Sequence, residues 1–147
     1  MKEKIFTLIS GMESDLASMY GKLAVITAYS DSRKVFLEMK EESRRHSGEI
    51  ACINLLEAPR LNTEKIYQLH QKLKLSVING AGKEKSAKAC KRKCARAEET
   101  MKGLYESLEK YYTSLSDHYA EVAATLGRLA QDEREHWESL MTENDPK

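Results

Sequence analysis

No stretch of the chain approaches the roughly 20 consecutive apolar residues that a membrane-spanning helix needs. The nearest candidate contains Ile5, Phe6, Leu8 and Ile9, and Glu13 and Asp15 follow it at once. That run is too short for the apolar core of a secretory signal, and no small-residue cleavage site follows it. Paired Cys-x-x-Cys motifs are missing too. The three cysteines, Cys52, Cys90 and Cys94, are odd in number and lack the spacing of a disulfide scaffold, so a reducing cytoplasm is the expected setting. Nor is one sign of charge in excess. Lys and Arg number 24 and Asp and Glu 23, a formal net charge of +1, and this balance gives no global field to draw in nucleic acid or an anionic membrane. Helix breakers are scarce as well: from Lys85 to Leu126 there is no proline and a single glycine, Gly103.

What is present is helical periodicity. The 147 residues suffice for a single domain with a real core. Four long segments carry their apolar residues at alternating steps of three and four, one stripe of a helix each. The stripes are Phe6, Ile9, Glu13, Leu16, Tyr20, Leu23 and Thr27; Phe36, Met39, Ser43, His46, Ile50 and Ile53; Cys94, Glu98, Met101, Tyr105, Leu108, Tyr112 and Leu115; and Tyr119, Val122, Leu126, Leu129, Glu133, His136 and Leu140. Each is interrupted by a charged or imidazole side chain. Glu133 and His136 stand three apart, so a carboxylate oxygen and an imidazole nitrogen can reach one point, which makes the pair a candidate metal site.

The interruptions also fall at matching levels. With turns near Ser30 and near Ser116-Asp117, Glu13 lies 17 residues before its turn and His46 16 after, while Glu98 lies 18 before and His136 20 after. At about 1.5 Å per residue, each hairpin brings its Glu and His to nearly one height. An inward polar layer costs stability unless its members pair or bind something.

In chain order, residues 4–28 are expected to form the first helix, and Ser30, Asp31 and Ser32 supply turn and N-cap chemistry for a second that runs to Ala58 and is ended by Pro59. The short connection makes the two antiparallel neighbours. Asn62 or Thr63 caps a shorter helix through Leu75, broken by Asn79-Gly80-Ala81-Gly82. Residues 59–84 thus read as a long crossover containing one short helix. From Lys83 to Arg96 seven basic residues face one acid, Glu84. No aromatics interleave them, so this is read as a solvated helix end. The break between the last two helices rests on Ser114, Ser116 and Asp117 alone.

These segments resemble the ferritin-like superfamily, in particular its rubrerythrin and bacterioferritin branch. Glu13-Ser14 with Tyr20, Phe36-Leu37-Glu38 leading to His46, and Leu129-Ala130-Gln131-Asp132-Glu133-Arg134-Glu135-His136 carry the likeness, which covers about two thirds of the chain. The resemblance implies an all-α, antiparallel four-helix bundle with one long crossover and two iron or manganese ions in its core, zinc being a further candidate. Carried over, Glu13 and Glu98 are terminal carboxylates, Glu133 a bridging one, and His46 and His136 the nitrogen ligands. Tyr20 and Tyr105 support carboxylates by hydrogen bonds, or fill core volume. Beyond the metal ligands no catalytic residue is implied.

Two positions depart from the family pattern. Ser43 stands where the second helix should present its bridging Glu, and Met101 where rubrerythrins tend to carry another carboxylate. Glu42 and Glu49 flank the stripe but sit one position off it. Three inward carboxylates would then face four positive charges, so affinity for a second ion should fall. The chain also has no rubredoxin-like module, so peroxide- or oxygen-dependent redox activity would draw electrons from a partner protein. With 11 residues after His136, the further helix of cage-forming ferritins is not expected, and a homodimer is. Two other readings stay open: a degenerate bundle holding one ion, through Glu98, Glu133 and His136, or none, and acting as a structural or partner-binding module; or, if the last two helices run straight through as one helix of over 50 residues, an elongated coiled coil whose basic stretch meets acidic lipid.

Overall fold

The computed structural model describes residues 4–53, 63–114 and 120–142. Among them the chain is all-helical, with no strand: α1 (Lys4–Leu23), α2 (Arg33–Ala51), α3 (Thr63–Leu73), α4 (Ala87–Thr113) and α5 (Ala120–Thr142). No described helix is long and apolar enough to cross a membrane. The described residues divide into two compact units, one up to Cys90 and the other from Lys91 onward.

In the first unit α1 and α2 pack as antiparallel neighbours, as the short connection requires. Ser10 bonds to Ser47, Glu13 meets His46 and Tyr20 stacks on Phe36 with ring centroids 6.3 Å apart, so the partner number falls as the α1 number rises. The expected stripes are the buried faces except at their ends, where Thr27 is exposed and Ile53 half-buried, both beyond their helices. Phe6, Ile9, Leu16, Tyr20 and Leu23 of α1 and Phe36, Met39 and Ile50 of α2 are all buried, which is the main stabilisation available to such a pair.

The helix ends differ from expectation. α1 stops at Leu23, five residues before the anticipated end, because the N–H groups of Val25 and Ile26 turn to carbonyls three residues back and the β-branched run Val25-Ile26-Thr27 disfavours further α-helix. A 3₁₀ turn, Thr27–Ser32, follows and leads straight into α2. Ser32 is its last residue but its side chain makes no cap; the N–H of Arg33 bonds instead to the carbonyl of Ser30. α2 ends at Ala51 and not at Ala58: the N–H of Cys52 is shared between the carbonyls of Gly48 and Glu49, and that of Ile53 reaches back only to Ile50. Pro59, Asn62, Ser116, Asp117, Leu115 and Tyr119 lie outside the described residues.

α3 stops at Leu73 and passes into a π turn, Lys74–Ile78, in which the N–H of Asn79 bonds to the carbonyl of Lys74 five residues back. Gly80 then opens a short 3₁₀ turn, Ala81–Lys83. The buried Tyr29 ties this segment to the α1–α2 connection: its hydroxyl lies 3.2 Å from the carbonyl oxygen of Ala81 and also contacts that of Glu84. Ser86 caps α4, accepting from the N–H of Ala89 at 3.1 Å.

In the second unit α4 and α5 form an antiparallel pair, with Glu98 facing His136 and Glu109 facing Gly127. An unbroken helix would hold residues 98 and 136 roughly 57 Å apart, whereas Glu98 Oε1 and His136 Nδ1 are 3.8 Å apart. The straight-through helix, and with it the elongated coiled coil, is thereby overturned. The basic stretch is only partly a solvated end, since Lys91 is buried together with Cys90 and Cys94.

Two outcomes test this packing. Tyr29→Phe keeps the ring but removes the hydroxyl, and is expected to lower stability to urea by about 1 kcal/mol. Gly103 is exposed, and a Cβ there meets nothing within 4 Å; Gly103→Ala should therefore raise stability by about 1 kcal/mol in the same assay.

Candidate metal centre

The α4 and α5 stripes converge on three side chains. Glu98 and Glu133 are fully buried and His136 is 6% exposed. One ligand atom from each can be chosen so that all three lie within 4.8 Å of one another. His136 Nδ1 is 3.7 Å from Glu133 Oε2 and 3.8 Å from Glu98 Oε1. These gaps exceed a hydrogen bond. They approach the spacing of donors around an ion: ligand atoms about 2.1 Å from a tetrahedral centre stand about 3.4 Å from one another. The donor set, two carboxylates and one imidazole, suits a divalent transition metal. The residues present thus fit such an ion.

Their position follows from the local sequence. Glu133 and His136 are one turn apart in α5, between Leu129 and Leu140, and Glu98 sits between Cys94 and Met101 in α4; all four flanking residues are buried. Helical spacing puts the polar groups on the apolar face, and the antiparallel pairing brings them to one level.

Electrostatics ties the three together. Burial alone opposes a charge on His136, but the carboxylates of Glu133 and Glu98 outweigh it and raise the imidazole pKa from 6.5 to about 10. Without a metal ion the ring is therefore a cation at neutral pH, set between two acids.

The first unit holds a second, sparser set. Glu13 of α1 and His46 of α2 are fully buried, with Glu13 Oε2 and His46 Nδ1 3.1 Å apart. Ser43, one turn before His46, is buried as well, and its hydroxyl has no hydrogen-bond partner among the described residues. Glu42 and Glu49 flank the stripe half-buried, and a Glu42 carboxylate oxygen lies within 4.8 Å of a His46 ring nitrogen. Both pair with Arg45, Glu49 at 2.8 Å. Tyr20 is buried against Phe36 in this unit, and Tyr105 is buried in α4.

Sequence reading missed two buried features. His70 Nε2 lies 2.7 Å from Asp15 Oδ2 across α3 and α1, a pairing between residues 55 apart that only tertiary structure creates. Lys91 is 2% exposed. Its signal was present: with Cys90, Cys94, Ala95 and Ala97 it belongs to the buried side of α4, yet the density of charge around it concealed the pattern.

The raised His136 pKa sets a pH dependence. Folding favours the protonated ring, so its contribution is complete below the unfolded pKa of 6.5 and is lost as pH climbs through about 10. Urea titrations of metal-free protein should show the unfolding midpoint falling over that window relative to His136→Gln. A constant difference between the two proteins would mean a neutral ring. No family model, curated protein or solved structure matches this chain.

Proposed function

We propose that the chain is a metal-binding protein that holds one divalent transition-metal ion, iron, manganese or zinc, through Glu98, Glu133 and His136. The observation that carries this reading is the convergence of three buried ligand-type side chains on one point of the α4–α5 pair. Two buried carboxylates and one neutral imidazole balance a dication, removing the net charge that makes such a cluster costly in an apolar surrounding. A proton on His136 achieves this only in part, because it leaves one negative charge.

Within this reading the fold is a ferritin-like four-helix bundle, to which the chain contributes two helix pairs, each with a Glu and a His from facing stripes. The α1–α2 set is the weaker. Glu13 and His46 offer a single negative charge, and Ser43 adds a neutral hydroxyl where a carboxylate would complete it. Two ions per chain are therefore disfavoured relative to one. Bound iron or manganese would supply one-electron redox chemistry toward peroxide or oxygen, with electrons from a partner protein. The chain's own part is to orient the ligands, exclude water from them through Leu129, Met101 and Leu140, and exchange the proton on His136 Nδ1 for the ion.

Elemental analysis after anaerobic loading with ferrous iron, repeated with manganese and zinc, tests the reading. One tightly held ion per chain is expected, abolished by Glu133→Ala and accompanied in the wild type by a rise in thermal midpoint. Glu133→Gln, which keeps the shape but not the charge, should also lose the ion. Substoichiometric metal that is indifferent to both substitutions would sink the proposal and leave a structural or partner-binding bundle.

A further inference from the structure

The second half of α1, the π turn and the 3₁₀ turn Ala81–Lys83 line an open cavity of about 660 Å³ within the first unit. None of its lining residues belongs to the metal reading. Three ammonium groups line it from three different elements, Lys22 from α1, Lys74 from the π turn and Lys83 from the 3₁₀ turn, together with the Asn79 amide and the Ser18 hydroxyl. Asp15 is the one carboxylate in the lining, and it is already engaged: Oδ2 lies 2.7 Å from His70 Nε2 and 3.9 Å from Lys74 Nζ. Lys22 and Lys83 have no ion-pair partner among the described residues. Like charges gathered around a concave surface repel one another unless an anion sits among them.

Two further features concern the same wall. π turns are rare in helices and gather at functional sites, and here one directs Lys74, Ile78 and Asn79 into the cavity lining. Gly82 lies close to the α1–α2 connection, since a Cβ there would stand 3.2 Å from Ile26 Cδ1. Met19, Leu23 and Ile78 supply an apolar floor.

We propose that this cavity binds a small organic phosphate, its head met by Lys22, Lys74 and Lys83 and its aliphatic body resting on Met19, Leu23 and Ile78. The size falls within the roughly 300–1,000 Å³ of small-molecule sites and far exceeds one inorganic phosphate. No aromatic residue is in the lining, so base stacking, and with it a nucleic acid, is disfavoured. A phosphate dianion matches several ammonium groups better than a single carboxylate does.

The probe is n-hexyl phosphate, titrated into isotopically labelled protein and followed through amide resonances of Ser18, Asn79 and Gly82. Saturable shifts at millimolar concentration or below are expected, with affinity about tenfold above that of inorganic phosphate, the effect of burying roughly two methylenes. Affinity should fall as salt is added. Lys22→Gln and Lys83→Gln should each weaken binding about fivefold. Lys88→Gln, an exposed lysine outside the lining, should not. All three positions are exposed, so the variants are expected to fold. Equal binding of hexanol would overturn the proposal by showing an apolar pocket only, and equal loss in Lys88→Gln by showing diffuse surface charge. Binding to phosphatidic acid vesicles without binding to hexyl phosphate would overturn it in favour of a lipid headgroup.

Discussion

Two carboxylates withdrawn from water on facing helices need a positive charge, and this requirement governs the α4–α5 pair. Glu98 and Glu133 are fully buried, and their mutual repulsion in a poorly screening surrounding would push the helices apart. His136 is the protein's own answer, its ring held protonated by both acids. That answer is incomplete, because one proton cannot neutralise two carboxylates. It is also temporary, since the nitrogen that carries the proton is the one a metal ion would take. In the proposed metal reading a dication would compete with the proton for this site, and its higher charge would balance the cluster.

The same constraint explains why the helices are uniform elsewhere. A polar layer is tolerable only if the faces above and below it are closed, and the stripes supply that closure: Tyr105, Leu108 and Tyr112 on one side of Glu98 in α4, Leu126 and Leu129 on one side of Glu133 in α5. Alternation of three and four residues keeps the layer and its apolar flanks in a single line down each helix. In the first unit the pattern repeats around Glu13 and His46, with Phe36 in ring contact with both Tyr20 and Tyr29 at centroid distances of 6.3 and 6.2 Å.

Much of this was legible in the sequence because it depends on two numbers that hold for any helix, its period and its rise. The period identified Glu13, His46, Glu98, Glu133 and His136 as inward, and all five are buried. The rise placed Glu13 level with His46 and Glu98 level with His136, and each pair lies within 4 Å. Helix ends were less legible. α1 and α2 both finish by tightening to bonds three residues back, a choice made by local competition among backbone acceptors that no glycine or proline announces. The π turn after Leu73 was hidden for the same reason. The Asp15–His70 pair depends on where α3 lies against α1, which periodicity within one helix does not encode. Of the helix glycines, only Gly127 is crowded, by the Glu109 carboxylate; Gly48 and Gly103 face open space, so packing accounts for one and not for the others.

Charge also separates the two donor sets. In α4–α5 the carboxylates come from both helices, so a dication with a neutral imidazole reaches electroneutrality inside a dry cluster. In α1–α2 Glu13 is the one fully buried carboxylate, so the same ion would be less completely balanced there. The difference rests on Ser43. Its hydroxyl is buried and contributes no hydrogen bond among the described residues, so it is not there for stability, and a neutral group at this position cannot offset an ion. Within the proposed metal reading, Ser43 in the second stripe is therefore where the two hairpins, alike in period and level, would come to differ, α4–α5 being the one whose charge an ion would complete.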